Sequence, residues 1–174
     1  MKRCRLMVEV GRRQFLRGTA VTAAGAAAVA TMAGAAKPTR AAGAIAYPGK
    51  KLANIRDLQV NVPFDVAYPD DDAPGVLLKM GHAVDGGVGP DGDIVGFSTI
   101  CPHKGFPLHY VAEDRTFNCP GHYSRFDAEK GGLQIWGQAT MNLPQYELHV
   151  DENGDIWATG VDELLYGRLS NVLG

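Results

Sequence analysis

Apolar residues along this chain occur in short runs separated by Gly, Pro, Asp and Asn, and residues 53–159 lack the spacing of a long amphipathic helix. Short runs rich in branched and aromatic side chains are typical of β-strands. Six such runs predict strands at Val76–Met80, Ile94–Ile100, Thr116–Cys119, Leu133–Trp136, Tyr146–Val150 and Ile156–Thr159. Short strands joined by turns rich in Gly and Pro indicate an all-β sandwich or open barrel.

Other segments add detail to this prediction. The pair Asn153-Gly154 separates two strand runs and can supply the positive φ angles of a tight hairpin over residues 146–159. Residues 81–93 are too rich in glycine to bury one face, so we expect an exposed loop there. Residues 162–174 are expected to form a short helix or an arm, whose apolar side chains are covered either by their own domain or by a partner. The two tryptophans are expected to be buried in the sheets.

The N-terminal part of the chain has a different composition. Residues 12–16 read RRQFL, which resembles a twin-arginine export signal, and a nearly uncharged stretch rich in Ala and Gly follows. We therefore assign residues 1–44 to a signal and linker, and residues 45–174 to one folded domain. A periplasmic location is expected, with cleavage of the signal favoured and its retention as a membrane anchor left as the alternative.

The charge of the chain changes once this segment is set aside. Residues 1–46 hold eight of the 17 Lys and Arg residues and one of the 19 Asp and Glu residues. Residues 47–174 therefore carry nine basic and 18 acidic residues, a net charge of −9. An acidic surface argues against nucleic-acid binding, which depends on cationic contacts to phosphate. It is compatible with attraction of a cationic partner and, equally, with simple solubility.

Two matched pairs of residues carry the most distinctive chemistry. Cys101 and His103 form a C-x-H pair, and after fifteen intervening residues Cys119 and His122 form a C-x-x-H pair. Two thiolates and two imidazoles suit a [2Fe–2S] cluster in which one iron takes both Cys and the other takes both His. Structural zinc also binds Cys₂His₂, usually through a cysteine pair followed by a histidine pair. Zinc is therefore the minor alternative.

Ligation by histidine has a consequence for the reduction potential. Two neutral imidazoles in place of thiolates remove negative charge from the cluster, so the reduced cluster holds its added electron more tightly. The reduction potential of such His-ligated clusters is about −150 to +300 mV. Gly105 and Gly121 lie beside the ligands and let backbone N–H groups approach sulfur, although ordinary turns need the same residues. The Ser124 hydroxyl can donate to a cluster sulfur, or bond only local backbone. Such a site moves single electrons.

The two boxes that contain these ligands, CPHKGF and CPGHYSRF, resemble the cluster-binding boxes of Rieske proteins. The later Asn142-Leu143-Pro144 resembles the third loop of that family, in which Leu143 and Pro144 would shield the cluster. The resemblance implies a Rieske fold, an antiparallel β base domain with a small cluster-binding subdomain inserted at about residues 97–145. The flanks YPGKKLANIRDL and DELLYGR further resemble the small subunit of arsenite oxidase.

The second resemblance implies a role for the chain. In that family a large molybdopterin subunit oxidises arsenite, and the Rieske subunit passes single electrons to a soluble cytochrome c or a cupredoxin. Carried onto this sequence, Cys101 and Cys119 would hold the inner iron, and His103 and His122 the outer iron. The chain would then be the electron-transfer subunit of a periplasmic molybdenum oxidoreductase, with no catalytic residue of its own.

Three positions depart from Rieske proteins that oxidise quinols. Those proteins carry a disulfide at the positions of Phe106 and Gly121, and a tyrosine that donates to a ligand sulfur at the position of Phe126. The departures weaken an assignment to a quinol:cytochrome complex, which remains an alternative beside a standalone Rieske ferredoxin. A zinc-stabilised structural module is the alternative from another class. We expect Phe106 to hold the boxes together by packing.

Overall fold

The computed structural model describes residues 46–172 of the 174-residue chain, so the predicted signal at residues 1–44 lies outside the described part. Regular structure consists of β1 (Lys50–Asn54), a 3-10 turn (Ile55–Asp57), β2 (Phe64–Ala67), β3 (Pro74–Lys79), β4 (Ile94–Ser98), β5 (His109–Val111), β6 (Thr116–Asn118), β7 (Arg125–Asp127), β8 (Leu133–Trp136), β9 (Tyr146–Val150) and β10 (Asp155–Val161). No helix in the described part is long and apolar enough to cross a bilayer.

The strands form three antiparallel sheets, which confirms the all-β prediction. Their orders are β1-β10-β9, β2-β3-β4 and β5-β6-β7-β8. The six predicted strands correspond to β3, β4, β6, β8, β9 and β10. The other four strands are short and mix charged with apolar residues, as in KKLAN and RFD, so their sequences carry little strand pattern.

Strands β3 and β4 form a wall between two halves of the apolar core. Side chains alternate across a strand, and here both faces are covered. Val76 and Phe97 pack in the cluster of apolar residues that also holds Cys101 and Cys119. Leu77 on the opposite face of β3 packs with residues of β1 and β10. The cysteines are therefore anchored in the same core as the base sheets.

The predicted hairpin over residues 146–159 is present as β9 and β10, but its turn differs from the expected one. Gly154 has a φ of 80°, whereas Asn153 is not among the residues with positive φ. The side chain of Asp151 accepts hydrogen bonds from the backbone N–H groups of Asn153 and Asp155, at 2.9 and 3.0 Å. This aspartate organises a longer loop, which needs left-handed backbone at the glycine alone.

The glycine-rich loop at residues 81–93 is largely exposed, as expected, but it ends in a buried ion pair. Asp93 is 1% exposed, and its two carboxylate oxygens lie 3.0 and 2.8 Å from Nζ of Lys79. The backbone N–H of Gly81 donates to the same carboxylate. The hydrogen bond to Asp93 raises the pKa of Lys79, so this lysine stabilises the loop in its charged form.

The C-terminal segment forms an arm of turns across residues 162–172. Leu165 is buried, and its backbone N–H donates to the side chain of Asn171 at 2.8 Å. Arg168 donates to Asp70 at 2.8 Å and ties the arm to the loop between β2 and β3. The arm also leaves apolar side chains exposed, namely Leu164, Tyr166 and Leu169. Its own domain therefore covers only part of its apolar surface.

Candidate metal centre

Three loops meet at one end of the four-stranded sheet. The first box leads into β5, the second box connects β6 to β7, and a third loop leaves β8. Strand register brings these ends together, because His109 pairs with Asn118 and Arg125 pairs with Trp136. The antiparallel pairing of these short strands therefore builds the site from segments far apart in sequence.

The four predicted ligands lie in these loops as an inner pair and an outer pair. Cys101 and Cys119 are buried side by side in one apolar cluster. The rings of His103 and His122 lie 4.8 Å apart, edge to face, with His122 exposed. Nδ1 of His103 is buried without a hydrogen-bond partner in the described part of the chain. A nitrogen lone pair left free in this way suits coordination to a metal.

The donor set fits a two-iron cluster. The pairing of soft thiolates inside and imidazoles outside matches the division of ligands in a His-ligated [2Fe–2S] cluster. Burial raises the pKa of Cys101, while the backbone N–H of His103 opposes the rise. Bound iron would displace this proton, because the thiolate is the ligand form.

The two boxes share one backbone conformation. The N–H of the cysteine in each box donates to the carbonyl five residues later, Cys101 to Phe106 at 2.8 Å and Cys119 to Ser124 at 2.9 Å. Each cysteine carbonyl accepts from the N–H four residues later, at Gly105 and at Tyr123. These two residues have φ values of 70° and 60°. Glycine adopts this left-handed backbone freely, whereas tyrosine does so at a cost of about 1 kcal/mol or more.

Phe106 connects the two boxes. A Cβ atom built on Gly121 would lie 2.7 Å from the Phe106 ring, so the ring rests directly against this glycine. The same ring meets His122 edge to face, with centroids 5.9 Å apart. The two positions that would carry a disulfide are thus in contact through packing, and a side chain at position 121 would push the ring away.

Ser124 links the second box to the loop after β8. Its fully buried Oγ accepts hydrogen bonds from the backbone N–H groups of Gln138 and Ala139, at 3.1 and 3.0 Å. A hydroxyl has two acceptor sites and one proton. Both acceptor sites are occupied by these contacts, so the proton remains available for a cluster sulfur. This second role stays a prediction.

The loop after β8 contains residues that the sequence analysis did not select. A Cβ on Gly137 would lie 2.4 Å from Cα of Ser124, so the loop touches the backbone of the second box. Leu143 and Pro144 are buried, and the Leu143 N–H donates to the carbonyl of Gly132. Their predicted shielding role remains a prediction. A glycine directly after a strand is the sequence signal that could have identified the contacting loop.

Aromatic residues around the site are in part buried and in part exposed. Phe126 is fully buried in the apolar cluster that holds both cysteines, and it offers no hydrogen-bond donor there. The expected burial of Trp136 is wrong, because this side chain is 68% exposed. It ends β8 on an edge strand of the sheet, where no neighbouring strand covers it. Trp157 is partly buried and stacks on His149.

Fold and ligand arrangement together define a cluster-binding protein that transfers electrons. The Rieske [2Fe-2S] domain family model matches residues 51–147, and the chain belongs to this family. It is similar to the iodate reductase subunit IdrB of Denitromonas iodatirespirans, with 40% identity over 74% of this chain and 70% of that protein. Similarity to the same subunit of Pseudomonas sp. strain SCT is 37% over 91% of this chain and 82% of that protein.

The solved structures agree with this assignment. The soluble domain of Rieske protein II from Sulfolobus acidocaldarius has a TM-score of 0.59 and 27% identity, covering 69% of this chain and 81% of that one. The chain is also similar to the Rieske iron-sulfur subunit of the cytochrome bc1 complex of Corynebacterium diphtheriae. This shorter match has 41% identity and covers 40% of this chain and 17% of that protein. The chain is a Rieske electron-transfer subunit of an oxidoreductase, and its cofactor is a [2Fe–2S] cluster.

Proposed function

We propose that this chain is the electron-transfer subunit of an exported molybdenum oxidoreductase that acts on an oxyanion. It would exchange single electrons between a large catalytic subunit and a soluble cytochrome c or cupredoxin. The observation that carries the proposal is the pairing of two buried cysteines with a histidine pair of which His122 is exposed, at one end of the four-stranded sheet. A cluster bound there supplies reversible storage of one electron.

The residues of the chain divide this work. The base sheets and the wall of β3 and β4 fix the cysteines in the core, and Ser124 and Phe106 hold the loops in place. The exposed edge of His122 offers a short route for an electron to a docked protein. Substrate chemistry is expected on the partner subunit.

Iodate is the first candidate substrate, because the relatives that this chain matches over most of its length are named as iodate reductase subunits. In that case electrons would flow from the soluble carrier through this chain to the catalytic subunit. The complex, purified through a tag on this chain, should contain molybdenum and should oxidise a reduced carrier when iodate is added. A complex that contains neither molybdenum nor a second subunit would contradict the proposal.

Arsenite is the second candidate, favoured by the resemblance of residues 47–58 and 162–168 to the small subunit of arsenite oxidase. Electrons would then flow in the opposite direction, from arsenite towards the carrier. The same preparation distinguishes the two substrates, since arsenite would bleach the visible absorption of the oxidised cluster in the absence of carrier. Iodate would instead restore that absorption in a complex reduced beforehand.

Export is the remaining part of the proposal and rests on the RRQFL sequence at residues 12–16. Twin-arginine export carries folded proteins, which suits a cofactor loaded in the cytoplasm. Replacing Arg12 and Arg13 together by lysine should retain the cluster-loaded protein in the cytoplasmic fraction. Equal recovery in the periplasmic fraction for wild type and variant would refute this part alone.

A further inference from the structure

A second surface adjoins the candidate metal centre at Cys119, and Phe106 is not part of it. It is an open pocket of about 290 Å³. Its walls are formed by two exposed aromatic residues, one cluster ligand and three neighbouring residues, namely Tyr123, Trp136, Cys119, Ser124, Asn118 and Arg125. We refer to it as the Cys119 pocket. A side chain placed in it would lie against a residue that ligates the cluster.

The two aromatic walls of the pocket are largely exposed to solvent. Tyr123 is 74% exposed and Trp136 is 68% exposed. In the described part of the chain neither ring stacks on another aromatic ring. Tyr123 also has a φ of 60° at the position where the first box has Gly105. A strained aromatic residue left in solvent points to a function for its side chain.

The charge around the pocket indicates what kind of protein fits it. The guanidinium of Arg125 is paired with Asp114 and donates to Asn118 at 2.8 Å, so the cation that lines the pocket is already neutralised. Residues 47–174 carry a net charge of −9, which attracts a cationic protein and repels an acidic one. Tyrosine and tryptophan are also the residues that dominate small protein interfaces.

The size of the Cys119 pocket indicates which of the two proposed partners, the catalytic subunit or the soluble electron carrier, would bind there. Two exposed rings around one small pocket suit the limited contact area of transient redox encounters. A permanent subunit contact requires a larger apolar area than this pocket provides. The exposed apolar side chains of the C-terminal arm, Leu164, Tyr166 and Leu169, lie on a different segment and are not needed for the pocket.

We propose that the Cys119 pocket is the docking site of a cationic soluble electron carrier, which inserts an apolar side chain between Tyr123 and Trp136. This inference rests on the proposed relay function and names its transient partner. The exchange moves one electron: one iron of the carrier passes from ferrous to ferric as one cluster iron passes from ferric to ferrous, or the reverse. No bond forms or breaks, and no further reactant is required.

The test uses the full cluster-loaded chain and a cationic c-type cytochrome, mixed in a stopped-flow spectrometer at low ionic strength. Trp136→Ala and Tyr123→Gly should each lower the second-order rate constant about tenfold or more, as loss of a central aromatic contact does. Tyr123→Gly is the sharper variant, because glycine relieves the left-handed strain and the domain should keep its thermal midpoint. Ile135→Ala is the matched control, an apolar residue equally placed on β8, 45% exposed and outside the pocket.

The outcomes separate this inference from the proposed function. If wild type exchanges electrons with the cytochrome and both variants do so at the wild-type rate, the pocket is not the docking site. If wild type exchanges no electrons with the cytochrome, the relay to a cationic carrier itself fails. Loss of the catalytic subunit from the purified Trp136→Ala complex would show a subunit interface and overturn the assignment. The EPR spectrum of each reduced variant must match that of wild type for a rate change to support docking.

Discussion

Removal of the Ser124 hydroxyl is the most direct test of how the loops around the metal centre are held. Ser124 is fully buried, and its Oγ accepts the N–H groups of Gln138 and Ala139 at 3.1 and 3.0 Å. Ser124→Ala removes that oxygen and leaves the rest of the side chain in place. Both N–H groups then lose their acceptor, and the contact between the second box and the loop after β8 is weakened.

The expected loss of stability follows from the burial of the two donors. A buried N–H without an acceptor costs about 1–3 kcal/mol. Ala139 is buried, so its N–H would bear this cost in full. Gln138 is exposed, and its N–H can bond to water instead, so it adds little to the cost. The expected loss in the free energy of unfolding of Ser124→Ala is therefore about 2 kcal/mol. For a domain of this size the thermal midpoint changes by roughly 4 °C per kcal/mol, which gives a decrease of about 8 °C.

The same variant tests whether the serine proton reaches the cluster. A hydrogen bond to a cluster sulfur stabilises the reduced state, which carries more negative charge, so its loss lowers the reduction potential. The thermal midpoint is measured by the visible absorption of the cluster, and the reduction potential by an EPR-monitored redox titration. Both measurements use the cluster-loaded protein.

Ser98→Ala is the matched control for this experiment. Ser98 is 3% exposed, and its Oγ accepts the N–H of Ile100 at 3.2 Å, outside both boxes. Its removal should cost less stability and leave the potential unchanged. If Ser124→Ala has the thermal midpoint and the potential of wild type, neither proposed hydrogen-bonding role of this hydroxyl is correct. A lower midpoint with an unchanged potential would keep the loop contact and exclude the bond to sulfur.

Three further changes test other parts of the centre and the fold. Phe126→Tyr places a donor beside the ligand cysteines and should raise the potential in a redox titration; an unchanged or lower value would contradict the hydrogen-bond reasoning. Phe106→Ala removes the ring that packs on Gly121. On incubation with a chelator, the visible absorbance of the cluster should then disappear at least severalfold faster than in wild type. An unchanged half-life would show that this packing does not hold the two boxes together. Lys79→Met leaves the buried Asp93 unpaired and should cost about 3–5 kcal/mol. The folded state raises the pKa of Lys79. The contribution of Lys79 to the free energy of unfolding is therefore complete below the ordinary lysine pKa of about 10.4. It is lost as the pH rises through the raised pKa of the folded state. On the alkaline side, the difference in thermal midpoint between wild type and variant should therefore close only in strong alkali; a difference that closes just above neutral pH would refute this.

Most of the strands that the sequence predicted bury side chains in the core, whereas β8 was predicted although it is largely exposed. In β3 and β4 nearly every side chain is buried, so their apolar runs are continuous and easy to detect. Strands β5 and β7 contain three residues each and are stabilised by pairing with β6. Three positions show little alternation, so tertiary pairing decides these structures; β6, also three residues long, was predicted as part of the four-residue run Thr116–Cys119.

The candidate site was predictable to the extent that its chemistry is encoded in residue type. Cysteine and histidine in matched pairs led to the predicted ligands, which stay a prediction, and Ser124 was selected from its position beside them. The contact of Gly137 with Ser124 was missed: a glycine directly after a strand can signal a close approach, but its partner depends on where the chain after β8 returns in space. The exposure of Trp136 was missed for a related reason, since an apolar strand pattern does not reveal which strand ends at an edge.

The packing of Phe106 on Gly121 has a consequence for assembly of the metal centre. A disulfide between two loops depends on the redox state of its compartment, whereas contact of a ring with a glycine does not. Cys101 and Cys119 are both free in the structure, so both thiols remain available to iron. The site can therefore reach its final geometry in a reducing compartment. This property suits the proposed export of a folded protein, because the loops need no oxidation after transport to hold the cluster.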